Sequence, residues 1–188
     1  MRLNHLARIT LIVRDVESAI AEHCAGLTQA HVSCSHVPEA RASGLGAAAI
    51  AGARVAFIAQ SDASTAHLEL IEQPAAVEEN QHLGWGRFEL TQNSLGVIVN
   101  CADCGLSAAF YLGLGARNVH KIDANTREIC MNASTLRFES SQAHAPAMNL
   151  SRLRCGILSV QIVRVGSRGQ GGPLRVLRGP DAELIELV

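Results

Sequence analysis

The chain has 188 residues and a formal net charge of −1, and hydrophobic residues make up 48% of it but aromatic residues only 3%. This length is enough for one compact domain, or two small packed units, with a hydrophobic core. The near-zero charge offers no basic surface to nucleic acid, and no apolar run reaches the ~20 residues that a membrane-spanning helix needs. We therefore expect a cytoplasmic protein whose partner is a small molecule rather than nucleic acid or a membrane.

Two segments share one plan. In the first, "ARITLIVRDVESAIAEHCAGLTQ" at 7–29, alternating apolar residues lead to Asp15 and then to apolar residues at helical spacing. In the second, "LGVIVNCADCGLSAAFYLGLGAR" at 95–117, the same order surrounds Asp103. A strand, an aspartate cap and a helix are predicted in each segment. The repeat indicates an internal duplication.

Three strand candidates follow each predicted helix. The fold class is therefore predicted as α+β, with tandem βαβββ units at 1–76 and 94–141 and a linker at 77–93. A partial third unit follows at 150–188, and it ends in the hairpin "LRVLRGPDAELIELV", whose turn is centred on Pro180 and Asp181. Proline at the first central position and aspartate at the next suit such a turn.

The six cysteines, at 24, 34, 101, 104, 130 and 155, are interpreted as small buried apolar residues. Cys101 and Cys104 have the spacing of a zinc knuckle or a redox pair. A second matching pair is absent from the sequence, which weighs against both alternatives.

Three motifs together resemble the vicinal oxygen chelate superfamily, which includes glyoxalase I, extradiol dioxygenases and bleomycin-binding resistance proteins. "LIVRDVESAIAE" is similar to the first strand and helix entry of that family. "VNCADCGLSAAFYLGLGA" is similar to the same entry in a second unit, and "GPDAELIEL" resembles the terminal hairpin. The resemblance implies that the units form a cup-shaped mixed β-sheet that holds a small molecule.

Metal-dependent members of this superfamily take a ligand, usually His, from each first strand and a Glu from each last strand. The resemblance places Glu69 and Glu186 at the last-strand positions. Counting back seven residues from each capping aspartate gives Arg8 and Gly96 at the first-strand positions, and neither can bind a metal. We therefore expect no metal. Two alternatives are open: a rebuilt divalent metal site of His67, Glu69 and Glu186, or Arg8 in place of the cation.

The resemblance implies a small-molecule enzyme, such as an isomerase, epimerase, lyase or cyclase, with Glu186, Glu69 and Arg8 as catalytic residues. His67 and Arg137 are candidate substrate contacts, although Arg137 could instead pair with Glu139 on a solvated edge strand. The alternative is a non-catalytic binding or resistance protein of the same fold. The sequence identifies neither the cofactor nor the substrate, and it does not distinguish a monomer from a homodimer.

Overall fold

The structure is a computed structural model and describes residues 2–25, 27, 30–60, 67–76, 84–90, 94–132, 134–141, 155–165 and 175–188. In chain order the first strands and helices are β1 (Leu3–Val13), α1 (Val16–Cys24), β2 (Ala30–His36), α2 (Glu39–Gly44), a 3₁₀ turn (Ala48–Ile50), β3 (Arg54–Gln60) and β4 (His67–Glu72). They are followed by β5 (Gly84–Leu90), β6 (Leu95–Cys101), α3 (Cys104–Gly113), β7 (Val119–Lys121), β8 (Thr126–Met131) and β9 (Ser134–Ser140). The last strands are β10 (Gly156–Arg164), β11 (Arg175–Arg178) and β12 (Leu184–Leu187).

A seven-stranded sheet combines the two ends of the described chain. Its order is β11-β12-β10-β1-β4-β3-β2. The first strands β1 and β10 are adjacent and antiparallel, and each pairs in parallel with the last strand of its own unit, β4 or β12. The third unit therefore completes the sheet that the first unit begins.

A five-stranded sheet is formed by the middle of the chain in the order β5-β6-β9-β8-β7. Its last four strands repeat the arrangement β1-β4-β3-β2 of the first unit. Strand β5 lies inside the segment predicted as a linker, so that prediction was wrong for residues 84–90. The segment is hydrogen-bonded as an antiparallel edge strand beside β6. Its glycines and polar residues are typical of a linker, so the sequence did not indicate a strand.

Helices α1 and α3 begin where the sequence predicted. The Asp15 carboxylate accepts the Ser18 backbone N–H at 2.7 Å, and the Asp103 carboxylate accepts the backbone N–H groups of Gly105 and Leu106 at 2.7 and 3.1 Å. These bonds satisfy donors that have no partner inside the first helical turn. The duplicated strand, cap and helix are thus confirmed.

Two apolar clusters hold the layers together. The larger cluster includes residues of both sheets and of helices α1 and α3, with Leu6, Phe138 and Tyr111 among its buried members. The smaller cluster joins the other face of the seven-stranded sheet to a covering segment, residues 37–50, through Leu45 and Ile50. The covering segment therefore covers part of that face with the protein's own side chains.

The fold class is confirmed as α+β, with two mixed sheets and no closed barrel in the described part of the chain. The predicted C-terminal hairpin is also present: β11 and β12 are antiparallel, and the Ala182 N–H donates to Gly179 O at 3.1 Å across the turn. Among the helices that the structure describes, none has the length and apolar character to cross a membrane.

Candidate functional site

One guanidinium joins the two last-strand glutamates on the face of the seven-stranded sheet that the covering segment packs against. Arg41, in α2, donates Nη2–H to Glu69 Oε2 at 2.7 Å and to Glu186 Oε1 at 3.0 Å, and Nη1–H to Glu186 Oε2. Glu69 and Glu186 are 2% and 0% exposed, so both carboxylates need a counter-charge. Burial opposes the charged form of Arg41, but its hydrogen bonds to Glu186 and Glu69 raise its pKa above the ordinary value. Arg41 is therefore a fixed cation between two buried anions.

Two hydroxyl groups complete the charge cluster. Thr10 in β1 donates to Glu69 Oε2 at 2.8 Å, and Ser159 in β10 donates to Glu186 Oε1 at 2.5 Å. Thr10 and Ser159 are partners in the register of β1 and β10. Each glutamate is therefore held by the hydroxyl of its own unit and shares Arg41 with the other. We refer to Thr10, Arg41, Glu69, Ser159 and Glu186 as the cup cluster.

Arg8 lies next to the cup cluster, beside Glu69. Its Nη1 is 3.6 Å from Glu69 Oε2, and its guanidinium carbon is 5.8 Å from the centre of the Phe57 ring. The side chain of Arg8 is 30% exposed, compared with 15% for Arg41. The Nε atoms of both arginines are buried and have no hydrogen-bond partner in the part of the protein that the structure describes. Both Nε–H donors are thus unsatisfied by the described residues.

The two glutamates differ in how fully they are engaged. Both oxygens of Glu186 accept hydrogen bonds, from Arg41 and Ser159. The contacts of Glu69 with Thr10, Arg41 and Arg8 all fall on Oε2. Within the described residues, Glu69 Oε1 accepts no hydrogen bond. Of the four carboxylate oxygens in the cup cluster, this is the one that no described residue engages.

A divalent metal does not fit this donor set. The space between the carboxylates is held by a guanidinium, which carries positive charge and offers only donors. The two other groups are neutral hydroxyls, and no group of three His, Cys, Asp or Glu side chains suited to a metal occurs among the described residues. The side chain of His67 lies outside the described part, although its backbone pairs with Arg8.

The structure brings three predicted site residues together and places Arg137 elsewhere. Glu69, Glu186 and Arg8 lie in or beside the cup cluster. Gly96 does not belong to it: it lies in β6 of the other sheet. The glutamates are bonded by hydroxyls of first strands: Thr10 of β1 is opposite Glu69 in the register, and Ser159 of β10 is opposite Leu184 and reaches Glu186 with its side chain. The second first-strand residue comes from β10 because the third unit, and not the second, is the sheet partner of the first.

Arg137 lies apart from the cup cluster, in β9 of the five-stranded sheet. Its Nε and Nη2 donate to Glu128 Oε2 at 3.1 and 2.9 Å. Both residues line a cleft of about 310 Å³ on that sheet, together with Glu89, Ser94, Leu95, Gly96, Val97, Ile98 and Thr135. The alternative of an edge strand with an Arg137–Glu139 pair was wrong. Strand β9 lies between β6 and β8, and the ionic partner of Arg137 is Glu128 on β8.

Arg41 is the residue that sequence reasoning missed. It belongs to a six-residue helix, too short to show apolar periodicity, and its partner Glu186 lies 145 positions away. One signal was available: Arg41 is a cation in the small-residue run "EARASGLGAAAIAGA", where a buried counter-charge would be needed for the two glutamates.

The cysteines only partly match the prediction of burial. Cys101 and Cys104 are buried, but Cys34 and Cys130 are exposed, and all six are free thiols. Burial and the charge of Asp181 raise the pKa of Cys101 to about 12. A thiol that stays protonated is a poor nucleophile and a poor metal ligand, so the redox and zinc alternatives for this pair lose support.

A second buried acidic cluster lies on the opposite face of β12. Glu183 accepts the Tyr111 hydroxyl at 3.2 Å and the Asp181 backbone N–H at 3.0 Å. Asp181 accepts the Ala102 N–H at 2.9 Å and the Ser107 hydroxyl at 2.6 Å. Burial and the charge of Asp181 raise the pKa of Glu183 to about 7.

Comparisons with known proteins leave the family open. No family model matches the chain, and no curated protein matches its sequence. Among solved structures, it is similar to a "putative dioxygenase" from Bacillus subtilis, at 10% identity and a TM-score of 0.37, covering all of this chain and 62% of the other. It is also similar to a "hypothetical protein" from Staphylococcus aureus, at 9% identity and a TM-score of 0.26, covering 96% and 65%. The chain thus spans less than two thirds of either structure.

Proposed function

We propose that this chain is a metal-independent small-molecule enzyme of the vicinal oxygen chelate type, in which Arg41 takes the place of the metal cation. The observation that carries the proposal is the guanidinium between Glu69 and Glu186, flanked by the paired hydroxyls of Thr10 and Ser159. The last-strand glutamates match the positions that the sequence resemblance assigns to metal ligands. The cation that they surround is an arginine.

The ligand is proposed to be a small molecule with a carbonyl or carboxylate group. Arg8 and Arg41 each present a buried Nε–H without a partner in the described structure, and such donors pair well with planar oxygen groups. The exposure of Arg8 gives access from solvent. The Phe57 ring beside Arg8 offers an apolar surface to the carbon skeleton.

The proposed chemistry is proton transfer next to that carbonyl, as in an isomerase, epimerase, lyase or cyclase. The arginines would stabilise the negative charge that develops on the substrate oxygen. Glu69 is the proposed proton acceptor, because its Oε1 is not engaged by a described residue. Glu186 is assigned to holding Arg41, because both of its oxygens are already engaged.

A second candidate function is non-catalytic binding of the same class of ligand. The observation that favours it is the saturation of Glu186 and of Glu69 Oε2 by donors of the protein itself. A site whose carboxylates serve only to fix two arginines would hold an oxygenated ligand without moving a proton.

Exchange of carbon-bound hydrogen tests the enzymatic proposal. Pyruvate and 2-oxobutyrate would be incubated with the protein in D₂O, and loss of their C3 proton signals followed by NMR. We expect faster exchange than in buffer alone, and its loss in Glu69→Gln. Glu22→Gln, which changes an exposed glutamate of α1, is the matched control and should exchange like the wild type.

Binding of the same two acids would be measured in parallel by calorimetry. Binding that needs Arg8, without exchange, would overturn catalysis in favour of the second candidate. The absence of both binding and exchange would overturn the proposed ligand class.

A further inference from the structure

The C-terminal hairpin is fixed to the rest of the protein by two buried carboxyl groups. Asp181 lies in its turn and contacts the start of α3 through Ser107 and the end of β6 through Ala102 N–H. Glu183 follows the turn and contacts Tyr111 in α3. Asp181 and Glu183 are 8% and 1% exposed, and Tyr111 is fully buried. We refer to Asp181, Glu183, Ser107 and Tyr111 as the C-terminal latch.

The latch is enclosed tightly on its remaining sides. A Cβ atom at Gly179 would lie 1.9 Å from Glu183 Oε1, and one at Gly84 would lie 3.0 Å from Asp181 O. Trp85 donates its indole N–H at 2.8 Å to the backbone oxygen of Leu184, the residue that follows Glu183. The absence of a side chain at Gly179 thus leaves space for the carboxyl group of Glu183. Strand β5 packs against the latch through Gly84 and Trp85.

The latch residues include no cation, whereas Arg41 lies between the carboxylates of the cup cluster. Among the residues that the structure describes, the titratable groups that face it are Asp181 on the hairpin, Tyr111 on α3 and Cys101 on β6 beside Asp181. All three are acids. The contacts of Glu183 and Asp181 in the described structure include no Lys, Arg or His side chain. Ionised Glu183 would therefore be a buried anion next to a second anion.

We propose that the C-terminal latch is a pH-sensitive device, closed when Glu183 is protonated and loosened when Glu183 is ionised. Protonation removes the repulsion between Glu183 and Asp181 while leaving the carboxyl group in its enclosed position. Ionisation places an uncompensated charge in the interior, which favours movement of the hairpin turn toward water. The raised pKa of Glu183, about 7, puts this change near neutral pH.

The latch has a direct connection to the cup cluster. Glu183 directly precedes β12, and Glu186 lies within this strand. The side chain of Glu186 is on the opposite face of the strand from Glu183, where it contacts Arg41 and Ser159. Because β12 has only four residues, loosening of the turn changes the support of Glu186. The latch itself rests on its own contacts and does not depend on the proposed enzymatic function.

The single tryptophan reports on the latch. Trp85 is 2% exposed and bonded to Leu184 O, so loosening should shift its emission to longer wavelength. We expect a transition in wild-type emission with a midpoint near pH 7. Glu183→Gln should remain in the closed form across this range. A flat wild-type titration, or an unchanged transition in Glu183→Gln, would overturn the proposal.

Two further variants make the test specific. Tyr111→Phe removes a hydrogen bond that favours ionised Glu183, so its midpoint should move to higher pH, and an unmoved midpoint counts against the latch. His23→Gln controls for a histidine ring 5.5 Å from Phe88 in β5 and should leave the transition unchanged. Amide exchange at residues 184–187, corrected for intrinsic rates, should become faster above the wild-type midpoint. If these amides are unaffected, the connection to the cup cluster is refuted.

Discussion

Thr10 and Ser159 face each other across the antiparallel pair of β1 and β10, and each donates its hydroxyl hydrogen to a different buried glutamate. The first and third units thus contribute equivalent hydroxyl and carboxylate groups to one site. Arg41 has no counterpart in this arrangement, because it comes from a helix of the first unit alone. A single residue therefore bridges the two carboxylates of a site that two units build.

Replacement of Arg41 by methionine should destabilise the protein strongly. The change keeps much of the side-chain volume but leaves Glu69 and Glu186 without their shared cation, and such a loss typically costs about 3–5 kcal/mol. Urea unfolding at pH 7 would measure it. The matched control is the triple variant Arg41→Met, Glu69→Gln, Glu186→Gln, which removes all three charges. It should recover most of the lost stability, and equal losses in both variants would show that charge balance is not the cause.

Replacement of Arg41 by alanine should create a site for a hard divalent cation. The change removes the guanidinium and leaves an oxygen-only set of two carboxylates and two hydroxyls, a chemistry that Mn²⁺ accepts. We expect MnCl₂ to raise the melting temperature of Arg41→Ala, because a ligand that binds only the folded state stabilises it. The wild type should respond much less. Adding Glu186→Gln to the variant should abolish the effect, and a persistent effect would place the cation elsewhere.

Stability should depend on pH through Glu183. Its pKa in the folded state is raised from 4.5 to about 7, so the folded state favours the protonated form. The associated stability is fully present below pH 4.5 and is lost as the pH rises to about 7. At about 1.36 kcal/mol per unit, the total is on the order of 3 kcal/mol.

Unfolding of wild type and Glu183→Gln at several pH values would isolate this contribution. The variant should be similar to the wild type near pH 4.5 and more stable above pH 7. A difference in stability that does not change with pH would show that Glu183 keeps an ordinary pKa.

The thiols should react with a disulfide reagent in separate phases. Cys34 is exposed, whereas Cys101 and Cys104 are buried, and burial raises the pKa of Cys101 to about 12. Cys34→Ser should therefore remove a fast phase of thiol release at pH 8, whereas Cys101→Ser should affect only the slow phase or the release after unfolding. Fast reaction of Cys101 would contradict its position in the core.

The local parts of the fold could be predicted from the sequence. The alternation of apolar residues before Asp15 and Asp103 identified both strand, cap and helix segments, because these signals act over a few residues. The terminal hairpin was also predicted, since Pro180 and Asp181 suit its turn. Glu69 and Glu186 were identified by resemblance to a family pattern.

The assembly of the site could not be predicted in the same way. Counting along β1 gave Arg8, whereas the register with β4 places Thr10 opposite Glu69. That register depends on pairing between distant strands, as does the choice of β10 instead of β6 as the neighbour of β1. Arg41 acts through contacts 28 and 145 positions along the chain, and no local pattern encodes them.

The seven-stranded sheet sets an order for the folding of this protein. Its strands come from residues 3–72 and 156–187, while residues 84–140 supply the five-stranded sheet between them. During synthesis the strands of the five-stranded sheet leave the ribosome before β10 and β12. Until then the edge of β1 lacks its partner and Arg41 lacks Glu186. Late pairing of distant strands is slow and exposes apolar edges, so nascent chains that end before β12 should depend on chaperones more than the finished protein does.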